Sequence, residues 1–228
     1  MEQIIKKFCD EYGFEYIENL KVEVVENISL YIQNDDYKYY SDRKKQIDSA
    51  LGILYEDSKG QLTILVQKQD LVNLVSTLVH EYVHVCDYRR LSREYNNTNF
   101  RELQEDDVFI YWTEFHATYV SYIYLIDMAL NQIESNINEY QEEIKEDLRA
   151  FYSSAMKLER KETVDKSVRA YGSYIALYER FPSKVTLYPD KFFLNKGFLD
   201  IYSFLLTHKT FEDFIKMYSN FKSMLYKI

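Results

Sequence analysis

The spacing of apolar positions in the first third of the chain predicts one helix followed by short strands. Residues 2–12 carry apolar side chains at helical spacing and predict a short helix. Residues 22–32 are rich in valine and isoleucine and indicate one or two strands. The polar stretch over 35–48 predicts a loop.

Two short β-prone runs follow, from Ala50 to Tyr55 and from Leu62 to Val66, and the residues Asp57-Ser58-Lys59-Gly60 separate them. Turn residues between two apolar runs are typical of a β-hairpin. The first third of the chain is therefore expected to contain a small antiparallel sheet.

From residue 70 onward the apolar pattern has the period of helices. Asp70 is suited to cap a helix that runs to about residue 90 and is apolar almost all round, so this helix is predicted to be buried. The residues Asn96-Asn97-Thr98-Asn99 predict a loop. Further helices are predicted over 105–130, 133–160, 162–180, 192–207 and 211–226. Thr210 and Asp213 predict the N-terminal cap of the last one.

These elements predict an α+β fold that is mostly helical. The small antiparallel sheet is expected to pack on the helix over 70–90, and a helical C-terminal part is expected to follow. We expect a core domain over residues 1–130 and a helical extension over 131–228, which together can form one continuous domain.

Composition and charge narrow the classes of function. The 228 residues include 46% hydrophobic and 29% charged ones, which is typical of a globular protein. The net charge of −9 and the lack of a basic stripe argue against a nucleic-acid partner. No apolar segment reaches the length of a membrane span, and Met1 to Phe14 lacks the apolar core of a secretory signal. We expect a cytoplasmic protein in which Cys9 and Cys86 are reduced.

The segment His80-Glu81-Tyr82-Val83-His84 carries the candidate chemistry. Two histidines four residues apart project from the same face of a helix, where both imidazoles can bind one metal ion. A catalytic zinc site needs such nitrogen ligands and an open position for water. Glu81 follows the first ligand, where its carboxylate can act as the general base. The motif predicts one zinc ion per chain and hydrolase activity.

The polar positions of this apolar helix form a single stripe. Its members are Asn73, Thr77, His80, His84 and Asp87, at spacings of three and four residues. Burying such a stripe without partners would be costly, and a line of ligands along a cleft explains it. The alternative is a surface helix with incidental histidines, which the apolar flanks do not favour.

Glu114 is the best candidate for a third ligand. It lies 30 residues beyond His84, within the apolar segment from Tyr111 to Ala117. The alternative is that its carboxylate pairs with an arginine such as Arg89.

Other residues near the motif have weaker claims to bind the metal. His116 is predicted to face away from the candidate glutamate, because two residues turn a helix by about 200°. Asp87 suits a role behind a ligand imidazole, accepting its second N–H. Cys86 is interpreted as a small buried hydrophobic residue. Asp106 and Asp107 are possible but precede the apolar section.

A peptidase also needs a donor that stabilises the developing oxyanion. The candidates are Tyr111, Tyr171, Tyr174 and His208, and the sequence does not choose among them.

The order of helix, small sheet, His-Glu-x-x-His helix and downstream glutamate resembles the ImmA/IrrE-type metallopeptidases. The resemblance covers about residues 1–130. It implies a zincin-like fold of the gluzincin type, with His80, His84 and Glu114 as zinc ligands and Glu81 as base. Because members of that family cleave helix-turn-helix repressors, it also implies a protein or peptide substrate.

Two features depart from that family. Tyr82 follows the base where a small residue is usual, and the stretch from His84 to Tyr88 is also similar to the anthrax-lethal-factor-like peptidases. The alternative function is a metal-binding regulatory or interaction protein of phage or mobile-element type with little or no turnover. A third possibility is a toxin-like effector that recognises its target through the C-terminal part. The intact Glu81 favours the peptidase.

Overall fold

Helices dominate the protein, and a computed structural model gives 71% helix with one three-stranded sheet. The described residues are 1–57, 59–96, 100–154, 160–188, 193 and 195–228. The predicted α+β, mostly helical class is confirmed. The chain has two compact units, Met1–Phe100 and Arg101–Ile228, and each is described by itself. The predicted domain boundary near residue 130 stays a prediction.

The first unit contains the sheet and the helix with the histidine motif. Its elements are α1 (Glu2–Tyr12), β1 (Lys21–Val25), α2 (Ile28–Asp35), α3 (Tyr37–Asp42), α4 (Lys44–Asp48), β2 (Gly52–Glu56), β3 (Leu62–Gln67) and α5 (Leu71–Glu94). The predicted first helix, the β-hairpin and the long motif helix are all present.

Two predictions in this unit are wrong, because segments expected as strand and loop are helical. Residues 28–32 belong to α2, where the Asn27 side chain accepts a hydrogen bond from the Leu30 N–H and so caps the helix. Residues 37–48 form α3 and α4, and Tyr39 and Ile47 of these helices are buried in a small core with Tyr55 of β2. Burial of their apolar side chains stabilises helices that the polar composition did not predict.

The sheet is mixed, which corrects the antiparallel expectation. Its strand order is β1-β3-β2, with β2 antiparallel and β1 parallel to β3. A parallel pair needs a crossover connection, and the segment with α2, α3 and α4 lies in that connection. The predicted hairpin is β2–β3, and Asp57 Oδ1 holds its turn by accepting from the N–H groups of Lys59 and Gln61. Ser58 lies outside the described residues.

Helix α5 packs against β2 and β3 and carries the histidine motif. The predicted cap is confirmed, because the Asp70 side chain accepts hydrogen bonds from the N–H groups of Val72 and Asn73. Burial is not uniform: Leu71 and Val72 are exposed in the first turn, whereas residues 81–88 are all buried. The motif therefore lies in the buried half of the helix.

All the regular secondary structure in the described part of the second unit is helical. Helix α6 (Phe100–Leu103) begins at the last residue of the first unit, and the helices that follow are α7 (Asp107–Met128), α8 (Leu130–Ser135), α9 (Ile137–Ser154), α10 (Arg160–Arg180), α11 (Lys196–Thr207) and α12 (Phe211–Leu225). The structure has two helices, α8 and α9, where the sequence predicts a single helix over 133–160. Residues 97–99, 155–159 and 189–192 lie outside the described residues, and with them most of the predicted Asn96–Asn99 loop and some predicted helix ends.

Helices α7 and α10 approach closely at Gly172. A Cβ atom there would lie 2.8 Å from the Phe115 carbonyl oxygen, so only glycine fits without a shift. Trp112 of α7 stacks on Phe214 of α12 with ring centroids 4.4 Å apart. Thr210 caps α12 by accepting from the Asp213 N–H, as predicted. Among the described residues, no helix combines the length and apolar character needed to cross a bilayer.

Candidate metal centre

Helix α5 brings the two motif histidines together. The Nε2 atoms of His80 and His84 are 3.0 Å apart, and their rings meet edge to face with centroids separated by 4.7 Å. The spacing of four residues places both side chains on the same face, one turn apart. His84 is buried and His80 is partly exposed, so the pair lies where the buried part of the helix borders solvent.

The 3.0 Å separation suits metal binding. Two imidazoles on a tetrahedral zinc at about 2.0–2.1 Å would have their nitrogens about 3.3 Å apart. In the absence of a metal, one neutral ring can donate its Nε2–H to the other. The same pair therefore makes a hydrogen bond without metal and offers two converging lone pairs to a metal ion.

Glu81 follows His80 in the sequence, and its side chain is almost completely buried, with 7% of its surface exposed. Its side chain lies beside the first residue of β2: a Cβ atom at Gly52 would be 3.0 Å from Glu81 Oε1. Thr77, one turn earlier on α5, also faces Gly52, and its hydroxyl accepts a hydrogen bond from Gln69 Nε2 at 3.0 Å. The carboxylate is thus covered on one side by the first residue of β2.

Glu114 of α7 has an arginine partner within the second unit. Arg169 Nη2 of α10 lies 2.8 Å from Glu114 Oε2, and Arg169 Nε bonds Asp165 Oδ2 at 3.2 Å. The Glu114 side chain is 13% exposed and that of Arg169 is 41% exposed. The alternative of an arginine partner is therefore met by Arg169. A carboxylate has two oxygens, so the ion pair leaves room for a second role.

His80, His84 and Glu114 offer two imidazole nitrogens and one carboxylate oxygen, a donor set that could hold a metal ion. Two imidazole nitrogens and one carboxylate oxygen are the ligands of many catalytic zinc sites, which keep a fourth position open. The chemistry of this donor set therefore fits zinc.

The structure shows the surroundings of other candidate residues on α5 and α7. Asp87 is fully buried, and its role behind a ligand stays a prediction. Cys86 is buried as expected, and burial raises the pKa of its thiol. Asp107 forms an ion pair with Lys161 at 2.5 Å. Burial raises the pKa of Tyr111 to about 12, so its hydroxyl stays protonated at neutral pH and can donate.

Three oxyanion candidates of the second unit have structural contacts there. Tyr171 is hydrogen-bonded to Tyr152, and Tyr174 donates to the Thr186 carbonyl oxygen at 2.6 Å. His208 stacks on Phe204 at the end of α11. These contacts give each of the three a role in packing, and the identity of the oxyanion donor stays a prediction.

Two further histidine and aspartate candidates also serve the helical packing. His116 is buried and stacks on Trp112 with ring centroids 4.7 Å apart. The Asp106 side chain caps α7 by accepting from the N–H groups of Val108 and Phe109.

Tyr82, the residue that departs from the resembled family, has a clear structural role. Its hydroxyl accepts a hydrogen bond from the Ile17 N–H at 2.9 Å and donates to the Glu15 carbonyl oxygen at 2.8 Å. The side chain thereby fixes the segment after α1 to the motif helix. A small residue at this position would leave both backbone groups without these partners.

Sequence reasoning missed Gly52 and Arg169. An isolated glycine in a strand pattern often marks a close approach of another group, and that signal was present at Gly52. No sequence signal distinguishes Arg169 from the other basic residues of α10.

Comparison of the chain with protein-family profiles, curated proteins and solved structures finds no match. The resemblance to the ImmA/IrrE-type and anthrax-lethal-factor-like peptidases therefore stays a prediction from the motif.

Proposed function

We propose that the protein is a zinc-dependent metallopeptidase in which His80, His84 and Glu114 hold one zinc ion and Glu81 is the general base. The observation that carries the proposal is the pair of imidazole Nε2 atoms, 3.0 Å apart, with the buried Glu81 next to the first of them. The donor set with Glu114 supports it further.

Bound zinc supplies a Lewis acid, which lowers the pKa of water and polarises a peptide carbonyl. Glu81 takes the proton from the water whose oxygen attacks the carbonyl carbon. The same carboxyl then delivers this proton to the amide nitrogen as the C–N bond breaks. The first products are a carboxylic acid and an amine. The acid then gives up the second proton of the water, which leaves a carboxylate and an ammonium group, and Glu81 returns to its starting state. A positioned base of this kind typically contributes about 10²–10⁴-fold to the rate.

Arg169 would hold the Glu114 carboxylate in a fixed orientation. Partners that fix a ligand from outside typically change metal affinity by about 10–100-fold when removed. The ion pair at 2.8 Å supports such a role. A protein or peptide substrate and a cytoplasmic location are part of the proposal and rest on the motif resemblance and the sequence.

Metal binding is the first test. The full chain is freed of metal with a chelator and titrated with Zn²⁺, and bound metal is measured by mass spectrometry. We expect one zinc per chain in the wild type, retention in Glu81→Gln, and loss of tight binding in His84→Ala. His208→Ala is the matched control, because it removes a histidine of the second unit and should keep the metal. Failure of the wild type to bind zinc would overturn the proposal.

Hydrolysis is the second test. The zinc-loaded protein is incubated with a peptide library made from a bacterial proteome, and new termini are mapped by mass spectrometry. We expect cleavage by the wild type and at least a 10²-fold slower reaction with Glu81→Gln. A zinc-loaded wild type that cleaves no peptide would overturn peptidase activity and favour the metal-binding regulatory alternative. Equal rates for both proteins would disprove the role of Glu81.

A further inference from the structure

Gly52 occupies a strand position that its backbone does not require to be glycine. It is the first residue of β2 and is paired with Val66 of β3, and its φ lies outside the left-handed region. Glycine weakens a strand, since it loses more backbone entropy and has no side chain to pack. The reason for glycine here must therefore be space.

The space at Gly52 is taken by two side chains of α5. A Cβ atom there would lie 2.4 Å from Thr77 Cγ2, 2.9 Å from Glu81 Cγ and 3.0 Å from Glu81 Oε1. Ordinary contact begins at about 3.4 Å, so the Thr77 methyl would have to retreat by about 1 Å and Glu81 Cγ by about 0.5 Å.

We propose that Gly52 is a positioning residue whose missing side chain sets the place of the Glu81 carboxylate. The inference rests on the proposed role of Glu81 as base. A catalytic group must be held within about 0.5 Å of its productive position, and the displacement that a methyl group at residue 52 demands reaches that limit.

Glu81 yields to such a methyl group more easily than Thr77 does. Thr77 is β-branched, which restricts its χ1 in a helix, and its hydroxyl is held by Gln69 Nε2 at 3.0 Å. Glu81 has three rotatable bonds, so its carboxylate can swing away at lower cost. Thr77 Cγ2 makes a clash of its own and must also give way, so the methyl group displaces both side chains, and the Glu81 carboxylate moves at the lower cost.

The first measurement does not depend on activity. Crystal structures of the metal-free wild type and Gly52→Ala are compared at Glu81. We expect the Glu81 carboxylate to be displaced by about 0.5 Å or more and Thr77 to shift as well, with the rest of α5 and β2 unchanged. An unmoved carboxylate in Gly52→Ala would overturn the inference, whatever the protein turns out to catalyse.

The second measurement uses turnover of a peptide that the wild type cleaves. Gly52→Ala should keep one zinc per chain and lose about 10–100-fold in kcat with a smaller change in KM, because a misplacement near 1 Å can cost about 10²-fold. Thr77→Ser alone is the matched control and should be close to wild type, since serine keeps the hydroxyl that Gln69 contacts.

The double variant Gly52→Ala/Thr77→Ser provides a rescue. Removing Thr77 Cγ2 opens the side on which the new methyl group is most crowded, so part of kcat should return. A Gly52→Ala protein with wild-type kcat, or a double variant no better than the single one, would contradict the positioning role. If Glu81→Gln cleaves as fast as the wild type, the proposed function fails and the structural comparison alone decides the placement.

Discussion

Helices α5 and α7 are built alike but use their buried polar residues differently. Both are long, both begin after an aspartate that accepts two backbone N–H groups, and both are apolar around most of their circumference. In α5 the two imidazoles meet each other, whereas in α7 the Glu114 carboxylate meets a guanidinium of α10. The polar side chains of α5 thus contact each other on one face of the helix, whereas the polar side chain of α7 contacts a side chain of the neighbouring helix α10.

This difference bears on how strongly each helix indicates chemistry. An ion pair between a half-exposed arginine and a carboxylate is common in packing and by itself indicates no metal. Two converging imidazole nitrogens with a buried glutamate beside them have few purely structural explanations. The hypothesis of a metal site therefore depends mainly on α5, and whether Glu114 is a ligand is the question that most needs an experiment.

The prediction with the largest expected effect tests whether Glu114 is a metal ligand or only the ion-pair partner of Arg169. If Glu114 binds zinc, Glu114→Gln should weaken zinc affinity by more than about a hundredfold, since it removes the ligand charge. Arg169→Met should weaken it by about 10–100-fold, because the carboxylate remains but is no longer held. Zinc titration of the metal-free proteins measures both values.

The contrary result is equally clear. If Glu114 serves only to pair with Arg169, both substitutions should leave zinc affinity unchanged and lower the free energy of unfolding alike, by about 1 kcal/mol or less for this partly exposed pair. Asp165→Asn is the control, because it removes the other carboxylate that Arg169 contacts and leaves Glu114 in place.

The next effect concerns the helix caps. Besides the two backbone N–H groups of α7, Asp106 accepts a hydrogen bond from the Tyr218 hydroxyl at 2.7 Å. Asp106→Ala should lower the free energy of unfolding by about 2 kcal/mol, since it removes a cap and leaves the hydroxyl without this acceptor. Tyr218→Phe should cost about 1 kcal/mol. Urea unfolding measures both, and equal losses would mean that the cap contributes nothing.

Much of α5 and its chemistry could be predicted from local sequence. The N-cap at Asp70, the helical spacing and the four-residue separation of His80 and His84 are all short-range features, and the structure has each of them. A helix cap and the helical period are set by neighbouring residues of one element, so the sequence alone is enough to predict them.

The features that sequence reasoning missed depend on other parts of the chain. Alternating apolar residues do not encode strand direction, so the parallel pairing of β1 with β3 could not be foreseen. Ile28 and Ile32 fit either a strand or a helix, and the Asn27 cap decides for the helix. The pairing of Glu114 with Arg169 depends on the packing of α7 against α10, which spacing along the chain does not specify.

The smallest effect is a pH dependence at the exposed cap of α5. Hydrogen bonds from the Asn73 backbone N–H and side chain hold the pKa of Asp70 below its usual 3.8. A carboxyl with a lowered folded pKa stabilises the folded state above its unfolded pKa, and this contribution is lost as the pH falls through the folded pKa.

Asp70→Asn keeps a cap but does not titrate. In urea unfolding of metal-free protein, the difference in stability between wild type and Asp70→Asn should stay constant from pH 7 to about 5 and shift against the wild type below about 4. A difference that does not change with pH would show that the cap acts as a hydrogen-bond acceptor without any contribution from its charge, and would make it no different from a neutral cap.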